Sequence, residues 1–208
     1  EKTVIGVVFS LNNPSQMGDA RLAAEYPECT HGYVVSTVEY ITPCAVGRGW
    51  SWADLGAWCT ANGYKNYSSE VNSCGYANTE GYIAANAAEI DSWDYTIDFT
   101  LFGSTSPLIT HRNGVSVPDN ASPWYIPSFR EMQLLYENRD AVNASIDNIS
   151  GDSLHVTRTD YDDYMYQYWT SSYDLDNKII KAFNMTNGSW YGSKTETTSL
   201  PVRIIFAF

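Results

Sequence analysis

The chain has 208 residues, of which 44% are hydrophobic and 14% aromatic, enough apolar material for one packed core and a single domain over residues 1–208. The formal charge of −12 would repel a phosphate backbone and excludes nucleic acid as a partner. Only 17% of the residues are charged, which predicts a surface of Tyr, Asn, Ser and Thr, as in exported proteins. The sequence has no apolar stretch of transmembrane length, and its start at Glu1 predicts a mature or trimmed chain with room for a lipid anchor upstream.

Both ends of the chain are predicted to be buried strands. "TVIGVVFS" (residues 3–10) and "PVRIIFAF" (201–208) are apolar and rich in β-branched and aromatic residues. We therefore expect the two termini to lie close together, in one sheet. A further strand is predicted in "GYVVSTVEYI" (32–41).

The cysteines lie in the N-terminal half of the chain, at Cys29, Cys44, Cys59 and Cys74. No Cys-x-x-Cys pair is present, so a tetrahedral zinc site is not indicated. Two disulfides in an exported chain and buried thiols both fit this spacing.

The middle of the chain predicts an aromatic cluster and then helices. Trp50, Trp52 and Trp58 are expected in the core, with an exposed sugar-stacking platform as the alternative. A first helix is predicted over residues 79–91, with Asn78 or Thr79 as its N-cap.

The clearest local signal is "WYIPSFREMQLLYENRD" (residues 124–140), where Ser128 and Glu131 have the spacing of a capping box before an apolar run. This pattern predicts a second helix over 129–138. A short third helix, capped by Asp140, is predicted through "DAVNASI".

The C-terminal half is predicted to consist of strands. "LHVT", "QYWTSS" and "KIIKAFNMT" have β character, and Asn187-Gly188 before "SWYGSK" predicts a hairpin with a type I′ turn. Strands followed by helices and again by strands indicate an α+β fold.

These segments resemble the Lcl C-terminal-like domains of unknown function, found in surface proteins of Gram-negative gut anaerobes. The resemblance rests on "GVVFS", "GYVVS", "YANTEGYI", "WYIPSFREMQLLYENRD", "YWTSS", "KAFNMTNGSW" and "VRIIFAF", which span nearly the whole chain. It implies a C-type lectin-like fold with twisted, mostly antiparallel sheets, two main helices, long loops and adjacent termini. It also implies an adhesion or ligand-binding role at the cell surface, the outer membrane or the periplasm.

The expected binding surface is the segment from Asp160 to Asn177, which holds five Asp and five Tyr in eighteen residues. Aromatic faces stack on sugar rings, and carboxylates pair with their hydroxyls. The alternative is that Tyr168 and Trp169 are core and the acids are merely solvated. The predicted ligand contacts are Tyr161, Asp162, Asp163, Tyr164, Tyr166, Tyr173, Asp174, Asp176, Trp190 and Tyr191.

No cofactor is predicted, and calcium stays an alternative. Acidic loops suit calcium, but neither "DYDD" nor "DLDN" matches an EF-hand loop. The resemblance implies a Glu-Pro-Asn or Gln-Pro-Asp triplet in calcium-dependent lectins of this fold, whereas "VPDN" (117–120) lacks the leading amide or carboxylate.

An enzyme is not predicted. The formylglycine-generating enzymes share the implied fold but use cysteines of the C-terminal half, and none follows Cys74 here. His31, His111 and His155 stand apart, without an HExxH or GxSxG motif.

The sequence therefore predicts an exported, non-enzymatic module that binds a glycan or a surface protein. The alternatives are a structural or accessory subunit of a fimbria-like assembly and a variable binding protein of a diversity-generating retroelement. A contiguous exposed apolar patch would favour the assembly subunit, whereas a polar cleft lined by Tyr would favour a glycan.

Overall fold

The computed structural model describes residues 3–44, 57–58, 61–62, 73–87, 101–157, 164–174, 179–191 and 199–208. The strands are β1 (Gly6–Ser10), β2 (Tyr33–Ser36), β3 (Tyr40–Thr42), β4 (Gln167–Asp174), β5 (Ile179–Asn184), β6 (Trp190–Tyr191), β7 (Leu200–Val202) and β8 (Ile205–Ala207). The α-helices are α1 (Ala20–Glu25), α2 (Gly75–Ala87), α3 (Pro107–Gly114), α4 (Phe129–Glu137) and α5 (Arg139–Asp147). Helices and antiparallel sheets together confirm the α+β class.

The first sheet brings the two ends of the chain together. Its order is β1–β2–β8, with both pairings antiparallel. The prediction that both ends share one sheet is confirmed, although β2 lies between them. The predicted strand over 32–41 is divided in two, because β2 belongs to this sheet and β3 pairs with β7 in another.

Helix α2 begins earlier than predicted, at Gly75, so Asn78 and Thr79 are not its cap. Both side chains are buried, and Thr79 Oγ1 accepts a hydrogen bond from the backbone N–H of Ile126 at 3.1 Å. These two polar residues therefore satisfy buried groups of neighbouring segments. The predicted helix end, over residues 88–91, lies outside the described ranges.

The capping box that opens α4 is confirmed, with Ser128 as the N-cap and Glu131 as its partner. Helix α5 follows directly, but its N-cap is Asn138, and Asp140 lies in the first turn instead of capping it. Helices α1 and α3, absent from the sequence-based prediction, are capped by the side chains of Asp19 and Ser106.

The C-terminal strands form a second three-stranded sheet with the order β4–β5–β6. The predicted strand "LHVT" is wrong, because residues 154–157 form no strand. The β5–β6 hairpin exists, but its turn is not the predicted type I′: Gly188 has a φ of +74°, whereas Asn187 has no positive φ. The connection is a longer loop in which the N–H of Gly188 donates to the carbonyl of Asn184.

Two clusters of buried side chains form the core. One joins Trp124, Trp169 and Phe206, and half-buried Trp58 packs against it. The other places Phe9 and Val35 of the first sheet against helices α4 and α5. Trp50 and Trp52 lie outside the described residues.

Cys29, Cys44 and Cys74 are buried, and no disulfide joins any two of these three. Cys59 lies outside the described residues. Within the part of the chain that the structure describes, no helix is apolar and long enough to span a bilayer.

Candidate functional site

The predicted C-terminal contacts divide into core residues and surface residues. Tyr166 is 6% exposed and Tyr173 is 2% exposed, and Tyr173 packs in the core cluster of Trp124 and Trp169. Tyr164 is half-buried against the same cluster. Tyr173 is a core side chain because both faces of its strand β4 are covered. Tyr166, directly before β4, is buried as well. Tyr168 and Trp169 are also buried, as the alternative interpretation expected.

Among the predicted contacts whose side chains are described, Trp190 is the most exposed, with 39% exposure on β6. The ammonium of Lys181 lies 5.1 Å from the centre of its ring and 5.9 Å from that of Phe129. A cation at these distances interacts favourably with both rings and holds Trp190 in place. The predicted contacts whose side chains lie outside the described part of the chain are Tyr161, Asp162, Asp163, Asp174, Asp176 and Tyr191.

A second surface lies along strand β1, in a segment that was predicted to be a buried strand. This strand is at one end of the order β1–β2–β8, and no other described strand pairs with its outer side. Valine side chains on and before it are open to solvent: Val4 is 53% exposed and Val8 is 48% exposed. Leu11, just after the strand, is 78% exposed. We call this row of exposed residues, with the outer side of the strand, the β1 edge.

The hydrogen-bond pattern shows which backbone groups face outward. The N–H of Thr37 donates to the carbonyl of Ile5 at 3.4 Å, so Ile5 directs its backbone groups toward β2. Backbone direction alternates along a strand, and Gly6 and Val8 therefore direct their N–H and C=O groups away from β2. The N–H of Ser36, which lies opposite Gly6, donates to Ile204 on the other side, as this alternation requires.

Two cavities meet at Val8, one on each side of the strand. The sheet-face pocket, about 360 Å³, lies over Val8, Val34 and Phe206 and is lined further by Glu28, His31, Pro118, Asn120, Ala121 and Phe208. The helix-side pocket, about 510 Å³, lies between β1 and the end of α4 and is lined by Val8, Phe9, Ser10, Leu11, Asn12, Leu134, Glu137 and Asn138.

The charge of both pockets is negative. Glu28 lines the sheet-face pocket and Glu137 lines the helix-side pocket, both exposed, and neither lining contains Lys or Arg. The chain as a whole has a formal charge of −12. This surface thus combines apolar side chains, outward backbone groups that no described strand pairs with, and a negative rim.

The buried acids of the chain serve its packing. Glu131 is fully buried, and burial raises its pKa to about 7 although Ser128 and Tyr125 donate hydrogen bonds to it. Asp19, also buried, accepts hydrogen bonds from Arg21, Leu22 and Ala77, and burial raises its pKa. Asp19 thus ties α1 to α2, and Glu131 ties the first turn of α4 to the segment before it.

A second buried charge cluster joins the loop after β2 to the C-terminal strands. Glu39 Oε2 lies 3.1 Å from Nη2 of Arg203, whose side chain is fully buried, and accepts a hydrogen bond from Tyr168 at 2.8 Å. Glu39 Oε1 lies 3.0 Å from Nε2 of His155, which is 44% exposed. This network fixes the position of β7 and β8 relative to β2. Among the described residues, no group of His, Cys, Asp and Glu has an arrangement suited to a metal ion.

The β1 edge was missed because "TVIGVVFS" has the apolar composition of a core strand. Its signal was present in the pattern: Val7 and Phe9 pack inward, and Val8 between them faces the other side. Whether that other side is covered depends on the position of the strand in the sheet, which composition does not encode.

The fold resembles that of a solved structure, a fimbrial protein from Bacteroides ovatus, with a TM-score of 0.75 at 18% sequence identity. The similarity covers 98% of this chain and 44% of that chain, so this chain spans less than half the length of the fimbrial protein. No protein-family model and no curated protein sequence matches the chain.

Proposed function

We propose that this chain is a non-enzymatic, exported module that docks onto another protein in a fimbria-like surface assembly. The observation that carries this proposal is the β1 edge, where Val4, Val8 and Leu11 expose apolar surface beside backbone groups that have no strand partner in the described part of the chain. An edge of this kind promotes pairing with another chain, and proteins that do not use it usually cover or charge it.

The structural comparison supports the same function. A fold shared with a fimbrial protein over 98% of this chain is consistent with a place at the cell surface. We include the C-type lectin-like fold in the proposal: both ends of the chain share one sheet, and "YWTSS" lies within the core strand β4. Fold alone does not assign activity, so the β1 edge carries the functional argument.

The proposal is tested by shearing surface appendages from the native host and probing them for the chain with an antibody. We expect the unmodified chain and an Ile41→Lys variant in the appendage fraction, and a Val8→Lys variant to be depleted from it. Ile41 is a matched control because it is 56% exposed on β3, in a different sheet. Absence of the unmodified chain from the appendages, or equal incorporation of both variants, would contradict the proposal.

A second candidate function is glycan binding near Trp190. The exposed ring, held by Lys181, offers an aromatic face for a sugar, and the predicted Tyr and Asp contacts precede it in the chain. A glycan array with the unmodified protein and Trp190→Ala, each with calcium and with EDTA, tests it. Binding that survives EDTA and is lost in the variant supports an aromatic platform, whereas binding lost in EDTA indicates calcium. Absence of binding in both conditions rejects this candidate.

A further inference from the structure

We propose that the β1 edge binds an extended segment of a partner protein by strand addition, and that this segment combines apolar side chains with Lys or Arg. This inference rests on the proposed function, because it specifies the chemistry of the partner at the same surface. It predicts that backbone hydrogen bonds provide affinity and that the two pockets provide specificity.

The backbone groups available at this edge match an incoming strand. Gly6 and Val8 direct their N–H and C=O groups outward, and they lie two residues apart. An added strand pairs with alternate residues of its neighbour, so these two positions supply the first bonds of a new ladder. The exposed side chains of Val4 and Leu11 extend the apolar surface beyond both ends of β1.

The two pockets match the alternation of side chains in that added strand. Successive side chains of a strand point to opposite faces of the sheet. The sheet-face pocket lies on one side of Val8 and the helix-side pocket on the other. One set of alternate side chains thus lies on the face of the sheet-face pocket, beside Val8, and the other set lies on the face of the helix-side pocket, toward Leu134 at the end of α4.

The negative charge at the two pockets favours a basic partner segment. Glu28 and Glu137 bring a carboxylate to each pocket, with no Lys or Arg in either lining. A segment carrying Lys or Arg meets these carboxylates, and an acidic segment is repelled. A second copy of this chain pairing through its own β1 is a poorer occupant, because residues 3–12, "TVIGVVFSLN", contain no charged residue.

Fluorescence anisotropy with a labelled peptide, Lys-Thr-Val-Thr-Leu-Thr-Val-Lys, tests the inference on the isolated chain. In one N-methylated version of the peptide, the methyl groups block the amides along one edge of the strand. In a second version, they block the amides along the other edge. Strand addition predicts that one version binds at least about tenfold more weakly and that the other binds as well as the parent, because a strand pairs through one side only. Absence of parent-peptide binding, or equal effects of the two methylations, would overturn the inference.

Variants of the chain test the position and the charge. Val8→Pro removes an outward N–H without removing a bond to β2, so we expect a folded protein that binds the peptide at least about tenfold more weakly. If Val8→Pro does not fold, the methylated peptides carry this test. Glu28→Gln combined with Glu137→Gln should weaken binding about tenfold, whereas the control Asp140→Asn, at an 87% exposed carboxylate in α5, should not. Unchanged binding in the double variant would reject the charge argument.

The result also separates this inference from the proposed function. Dimerisation of the chain that Val8→Lys abolishes, without peptide binding, would reject the partner chemistry and assign a second copy to the edge. Loss of Val8→Lys from surface appendages without peptide binding would reject strand addition and leave the assembly function standing.

Discussion

Glu131 Oε2 accepts two hydrogen bonds from Ser128, one from its backbone N–H and one from its hydroxyl, both at 2.7 Å. The same hydroxyl oxygen accepts a hydrogen bond from the N–H of Cys74 at 3.3 Å, directly before α2. The capping box of α4 thus also anchors the start of α2. The capping box of Ser128 and Glu131 and one long-range bond from the backbone of Cys74 therefore connect the starts of two helices.

We expect the stability that Glu131 contributes to fall as the pH rises from 5 to 8, whereas buried His111, whose pKa is lowered to about 4, acts in the opposite direction. Burial raises the pKa of Glu131 from 4.5 to about 7 in the folded protein, so folding favours its protonated form. The stability that this group contributes is fully present below pH 4.5 and is lost as the pH rises through about 7. The raised pKa of Asp19 acts in the same direction. Urea unfolding at both pH values, with Glu131→Gln as the comparison, measures this effect. A variant with the same pH dependence as the unmodified protein would contradict it.

Gly75→Ala should destabilise the protein by about 1–3 kcal/mol, because the position has no room for a methyl group. An added Cβ would lie 2.2 Å from Glu131 Oε2 and 2.8 Å from the N of Ser128. Gly114→Ala is the matched control, since it also lies in a helix and its Cβ would meet nothing within 4 Å. Thermal unfolding of both variants decides the matter, and equal melting temperatures would disprove the close contact.

Glu39→Gln should cost about 3–5 kcal/mol, because it leaves the guanidinium of fully buried Arg203 without its carboxylate. Asp140→Asn breaks an exposed pair with Arg139 and should cost much less, since water screens it. Chemical denaturation of the two variants provides the comparison. A small effect of Glu39→Gln would show that the buried pair is dispensable.

Tyr166→Ala and Tyr173→Ala should each cost about 3–5 kcal/mol, because both rings are buried. Trp190→Ala should cost less, since its ring is 39% exposed. Melting temperatures measured by circular dichroism test this ranking. Unchanged melting for Tyr166→Ala would restore that ring to a binding role.

Local signals predicted the fold best where one short segment determines the outcome. The spacing of Ser128 and Glu131 predicted α4 to within one residue, because both capping partners lie in the same turn. The ends of α2 could not be predicted this way: Asn78 and Thr79 have good capping chemistry, but their side chains bind groups of distant segments. The side-chain atoms that can cap a helix are the same atoms that can make a buried tertiary contact, so the residue type alone does not distinguish the two.

The candidate site was harder to predict than the fold. Tyr166 and Tyr173 have the composition of a binding loop, yet they are core residues in or next to a strand covered on both faces. Val8 has the composition of a core strand, yet it is 48% exposed because its strand ends a sheet. Exposure in both cases depends on the order of strands, which is set by contacts between residues far apart in the chain.

Amide hydrogen exchange at β1 tests the central claim most directly. Exchange at Gly6 and Val8 is measured by fragmentation mass spectrometry in the isolated chain and in sheared surface appendages. We predict that both amides exchange at least about tenfold more slowly in the appendages, because they gain hydrogen bonds there, whereas Val7, which bonds to β2, changes little. Equal exchange of Gly6 and Val8 in the two samples would show that the β1 edge stays open and would contradict the claim.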